Sequence, residues 1–263
     1  MTTSCNGRCA GPVSTVGIEW PGIVVRAALI CTLDDIMPAY VARPRHTDTA
    51  PILLLIHEVF GLDRYIRDVA HRLAAQGYFV LVPDLFIRQG DPAVFDLEQD
   101  LQTKLAARVP DEQVLDDLDA AVAWAGQNGG DVSRLGVTGF SWGGRIAWLY
   151  AARERRLRAA VAWCGLLDGE RNALRPRHPI DLAGQLDTPV LGLHGGPDAT
   201  TQRLRALLAQ AHSASIVHEY PEVPPAFHAH YRGSFREEAA QDGWARMLDW
   251  FERHGVAPAS ALD

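Results

Sequence analysis

PILLLIHEVFG, from Pro51 to Gly61, stays apolar without alternation until polar residues and a glycine close it. A strand with no polar face is covered on both sides, which predicts a place inside a parallel sheet layered with helices. Residues 78–86, 134–141, 158–165 and 188–196 repeat that character. Between them the period changes to that of helices. DRYIRDVAHRLAAQG sets Ile66, Val69, Ala70, Leu73 and Ala74 on one face before Gly77, and DEQVLDDLDAAVAWAGQNGG sets Val114, Leu115, Leu118, Ala121 and Val122 on another. Strand and helix in alternation predict an α/β sandwich. AALICTLDDIMPAYVARP reads as an antiparallel hairpin added to the sheet edge, with its turn at Asp34 and Asp35, and QDGWARMLDWFERHG reads as a closing amphipathic helix. Residues 167–186 show little periodicity and are expected to arch over the surface. With no repeat, low-complexity tract or long linker, residues 1–263 are expected to form one domain with loose ends at 1–15 and 257–263.

Composition narrows the function classes. A chain of 263 residues, 48% hydrophobic, can bury one large core. Its net charge of -7 argues against nonspecific binding of nucleic acid or anionic membranes, which needs a positive face. The apolar runs are shorter than ten residues, too short to span a bilayer, and MTTSCNGRCAGP lacks the layout of a signal peptide, so a cytoplasmic location is expected. Cys5, Cys9, Cys31 and Cys164 are few and unevenly spaced, which suits a reduced compartment better than a disulfide scaffold. Neither the Cys5 and Cys9 pair nor His57, Glu58 and His194 have a recognised metal-ligand spacing, and the single lysine, Lys104, disfavours Schiff-base chemistry. No metal or cofactor is expected, and no assembly beyond a monomer or weak homodimer.

The chemistry centres on GVTGFSWGG, between a predicted strand and the helix RIAWLYAARERR. That is the context of a nucleophile elbow, in which Ser141 stands at a helix N-terminus where the dipole favours developing negative charge. Acyl transfer needs two N–H groups aimed at the tetrahedral oxygen. Trp142 is one candidate donor and Val59, in HEVFG after an earlier strand, is the other. Glu58, a carboxylate at the end of a buried strand, is expensive there unless paired or functional. Asp198 follows the strand VLGLHG and is the candidate acid, with an N-cap as its plain alternative. A base is expected downstream, and spacing alone leaves His218, His228 and His230 open.

The chain resembles the dienelactone hydrolase family, also called carboxymethylenebutenolidases, over about Ala39 to Gly255. HEVFGLDRYIRDVAHRLAAQGY, VPDLFIRQGDP, GGDVSRLGVTGFSWGGRIAWLYAA and DGWARMLDWF carry the resemblance. It implies an α/β-hydrolase fold with a mostly parallel central sheet flanked by helices, a Cys-His-Asp triad, and a small-molecule ester or lactone substrate that often bears a carboxylate. By that resemblance Ser141 takes the nucleophile position, Asp198 the acid position, and Glu58 that of a glutamate involved in activating the nucleophile. Val59 and Trp142 fall on the oxyanion-hole amides, and Arg88 on an arginine that binds the substrate carboxylate. Three departures stand out. Serine replaces cysteine at 141. The stretch after Asp198 is shortened. In YPEVPPAFHAHYR the histidine position is Pro225, which leaves His228 as the replacement candidate and His230 behind it. Ala229 occupies a second arginine position, beside which Arg232 is the nearby cation. Arg145, after the elbow, is a further candidate for an acidic ligand or else a structural ion pair. The sequence therefore supports a serine hydrolase of small esters or lactones, or, if no base is in place, a protein that keeps the fold and binds a small acidic ligand.

Overall fold

The computed structural model describes residues 21–259. Its centre is an eight-stranded sheet in the order β1-β2-β4-β3-β5-β6-β7-β8. β1 (Ile23–Cys31) and β2 (Ile36–Pro44) are the predicted antiparallel hairpin, and β2 pairs antiparallel with β4 (Phe79–Pro83). From β4 through β3 (Ala50–Ile56), β5 (Gly130–Phe140), β6 (Leu157–Trp163), β7 (Val190–Gly195) and β8 (Ile216–Tyr220), every pairing is parallel.

Alternate strand residues feed two cores, which is why those strands lack a polar face. Ile52, Leu54 and Ile56 join the layer formed by α3 (Asp111–Gln127), α4 (Trp142–Arg153) and α6 (Ala199–Gln210). Leu53 and Leu55 join the other, under α1 (Arg64–Ala75) and α7 (Glu237–Arg253). The predicted faces of α1 and α3 are buried, together with Tyr65 on α1 and Asp111 and Asp117 on α3, which periodicity does not reveal. Two short helices, α2 (Glu98–Asp100) and α5 (Pro179–Leu182), lie in connections. Around α5 the segment expected to skim the surface instead buries His178, Ile180 and Leu182.

Parallel pairing brings the C-terminal ends of β3, β5, β6 and β7 to one edge, where Glu58, Ser141 and Cys164 follow their strands and His194 lies within β7, one residue before its end. Cys31 is disulfide-bonded and Cys164 carries a free thiol, which corrects the expectation of a fully reduced set. Cys5 and Cys9 lie outside the described residues, as do the expected loose ends 1–15 and 260–263. Residues 257–259 are not loose: the Ala259 N–H donates to the Gly77 carbonyl at 3.2 Å.

Candidate active site

Ser141 sits where β5 turns into α4, with φ 52° and ψ -111°. Positive φ is uncommon for a residue with a side chain and persists only where the surroundings enforce it. Here the enforcement is close backbone passage. A Cβ at Gly139 would lie 2.2 Å from the Gly143 carbonyl oxygen, and one at Gly143 would lie 2.4 Å from that of Ile56. The Ser141 N–H donates to the Trp163 carbonyl at 2.8 Å, fixing the turn to β6.

Beyond β3 the chain buries His57, Glu58 and Val59. His57 is fully committed. A backbone N–H can only donate, so Leu85 N–H gives its proton to Nε2 at 3.2 Å, and Nδ1–H donates to the Glu58 carbonyl at 2.7 Å. Its ring stacks on Trp142, with centroids 5.6 Å apart. Among the described residues the Val59 N–H has no acceptor.

Glu58 carries the unusual electrostatics. It is 1% exposed, and burial pushes its carboxyl up to about 7 against the opposing pull of Arg232. Arg232 donates to Oε2 at 2.7 Å and stacks over Phe60 at 4.5 Å. Oε1 has no partner among the described residues. It faces His228 Nε2, likewise unpartnered, at 3.9 Å. This is not an ion pair, because burial and Arg232 lower the His228 pKa to about 3 and the ring is neutral.

The loop from β8 to α7 places that histidine. Past Pro224 and the exposed Pro225, Ala226 takes φ 57° and redirects the chain. Ser234 Oγ donates to the Ala226 carbonyl at 2.9 Å, and Arg236 N–H to that of Phe227 at 3.0 Å. Phe227 and His228 are thereby both buried, His228 against Phe140, with ring centroids 4.4 Å apart. His230 stays exposed near Tyr65, and His218, in the middle of β8, lies 3.9 Å from Asp242. On one side of His228, between α1 and α7, lies a cavity of about 390 Å³ walled by Tyr65, Phe140, Trp163 and Trp244, with Arg72 stacked on Trp244 at its rim.

Three predicted site residues lie apart from this cluster. Asp198 is exposed and caps α6, accepting from Thr200 N–H at 2.8 Å. The histidine whose charge it favours is the buried His194, which desolvation holds at about 4. Arg88 is committed to Asp117 on α3 and to Asp34 and Thr32 in the hairpin turn, and that geometry lends no support to a substrate carboxylate there. Arg145 makes a buried two-pronged pair with Asp111 at 2.7 Å and also reaches His178 and the Arg177 carbonyl, so it takes the structural alternative. The residue that sequence reading misses is Tyr65, whose hydroxyl contacts His228 Nδ1. No local signal marks it, since its partner is 163 positions away. Among the described residues no group of three or more His, Cys, Asp or Glu side chains is placed to hold a metal ion.

The dienelactone hydrolase family model matches residues 37–255, a span that includes Glu58, Ser141 and the 221–236 loop. The chain belongs to the dienelactone hydrolase family. Membership places it among the carboxylic ester hydrolases built on the α/β-hydrolase fold. A Yersinia pestis protein named "Putative carboxymethylenebutenolidase" is 46% identical over 246 residues, covering 91% of this chain and 92% of its own. A Bradyrhizobium protein named "Probable 2-oxo-3-(5-oxofuran-2-ylidene)propanoate lactonase" is 32% identical over 226 residues, 82% of this chain and 89% of its own. The crystal structure of a "Putative Dienelactone Hydrolase" from Klebsiella pneumoniae superposes with a TM-score of 0.86 at 46% identity, covering 88% of this chain and 99% of that one.

Proposed function

We propose that this family member hydrolyses a small, carboxylate-bearing lactone or ester through an acyl-enzyme on Ser141. The observation that carries the reading is the backbone of Ser141, held at φ 52° at the start of α4 by contacts that leave no room for a Cβ at Gly139 or Gly143. Strain so firmly enforced is characteristic of nucleophile turns. In this reading Ser141 Oγ attacks the carbonyl carbon, and the N–H groups of Val59 and Trp142 stabilise the oxyanion. A serine hydroxyl is a poor nucleophile until a base takes its proton. The buried pair of Glu58 and His228 is that acceptor in our reading, and Asp198 keeps the helix cap its geometry displays. Water then releases the acyl group.

The substrate class rests on the Bradyrhizobium relative, whose name is that of a lactonase for an unsaturated five-membered ring on an oxo-acid. Arg232, one-fifth exposed beside Glu58, is the cation nearest the cluster and the candidate for the substrate carboxylate. The aromatic cavity beside His228 suits a planar acyl group.

The test is turnover of p-nitrophenyl acetate by the wild type and by Ser141→Ala, with a fluorophosphonate probe followed by mass spectrometry. We expect turnover to vanish in the variant and the label to sit on Ser141. Equal turnover in both proteins and no adduct would reject the nucleophile. Those results would favour the competing reading, a ligand-binding member of the fold, to which the exposed Pro225 at the family's histidine position lends weight.

A further inference from the structure

We infer that Tyr65 is a positioning residue for His228: its hydroxyl donates to Nδ1 and fixes the imidazole proton on Nε2, so that His228 presents a donor to the site. The inference rests on the reading of Ser141 as nucleophile and assigns roles within the pair that serves it.

The protons available to Tyr65 and His228 fix the tautomer. Burial, reinforced by Glu58, holds the Tyr65 hydroxyl pKa well above its usual value, so the group keeps its proton. A buried O–H needs an acceptor, and among the described residues the one in contact with it is His228 Nδ1. The ring is neutral and carries one proton, which must then sit on Nε2. The reverse arrangement, Nδ1–H donating to the phenol oxygen, would strand the Tyr65 proton in the core. With the proton on Nε2, His228 presents a donor to Oε1 across 3.9 Å. That gap is too long for a direct hydrogen bond but admits one oxygen about 2.8 Å from each atom. Such an oxygen accepts from Nε2–H and gives its own proton to Oε1.

In this tautomer His228 acts as a neutral donor toward the space between it and Glu58.

Tyr65→Phe removes a single oxygen and keeps the ring packed on Phe140, so the fold should survive. Two-bond proton–nitrogen correlation spectra of histidine-labelled protein, with His228 assigned by its absence in His228→Gln, report the tautomer without recourse to activity. We expect Nε2–H in the wild type and a shift toward Nδ1–H in Tyr65→Phe. An Nδ1–H wild type, or a signal indifferent to Tyr65→Phe, overturns the inference. Kinetics supply a second readout, because glutamine donates an N–H but cannot take a proton. His228→Gln should recover about tenfold or more of the kcat that His228→Leu loses, within the range of a positioned proton-transfer group, whereas equal losses would make His228 the base. If Ser141→Ala keeps its turnover, the nucleophile reading falls, while the tautomer measurement still judges Tyr65.

Discussion

At the scale of single residues, Glu58 makes one contribution to stability that depends on pH near neutrality. Its folded-state pKa of about 7 lies above the ordinary 4.5, so between those values the native state holds a proton that the unfolded chain has released. The contribution of Glu58 to stability therefore falls as pH rises from about 4.5 through about 7, by on the order of 3 kcal/mol once fully ionised. Glu58→Gln removes that dependence, so its melting temperature should gain on the wild type progressively from pH 5 to pH 8. A constant difference across that range would place the titration elsewhere. If the carboxylate is the proton acceptor, kcat/KM should rise with unit slope below pH about 7 and level off above it. An acid limb that persists near 7 in Glu58→Gln would assign it to another group. The carboxylate itself is plain in the sequence, in HEVFG; its shift is not, because it comes from the burial and the Arg232 contact that only folding creates.

Among the elements, the turn from β5 into α4 is the most tightly specified. Gly143 passes the carbonyl oxygens of Ile56 and His57 so closely that a Cβ would lie 2.4 and 2.5 Å from them. Because both obstacles are backbone, relief means moving β3 or the elbow itself. Gly143→Ala should therefore cost about 1–3 kcal/mol and lower kcat by more than the loss of folded protein explains. Urea titration together with active-site labelling checks this, and full labelling at wild-type kcat would refute it. This element was legible in the sequence, since G-x-S-x-G between an apolar run and a helical period leaves few backbone solutions. The loop holding His228 was not. Parity arguments need a known strand or helix, and here a positive φ at Ala226 and two side-chain and backbone bonds set the direction.

Across the whole molecule, two arginines join separate layers. Arg88 ties the β1–β2 turn to α3, and Arg145 ties α4 to the start of α3 and the 177–178 segment. Deleting one partner of a buried pair leaves an uncompensated charge, at a cost of about 3–5 kcal/mol. Arg145→Leu should lower the melting temperature accordingly, as Asp111 stays buried beside it. Arg88→Ala leaves the buried Asp117 without its partner and should likewise lower the melting temperature, while reducing kcat/KM equally for acidic and neutral esters. A loss confined to acidic esters would return Arg88 to the substrate.

Covered strands alternating with one-faced helices can pack in few ways, so the sequence by itself determined the sheet, its two helical layers, the edge hairpin and the serine elbow. Those features depend on neighbours near in the chain. Tertiary structure decided which charged groups meet: Arg232 with Glu58, Tyr65 with His228, Arg88 with Asp117. Those partners are 174, 163 and 29 positions apart, and local periodicity carries no information about contacts over such separations. Burial, which sets their protonation, likewise arises only when the layers close.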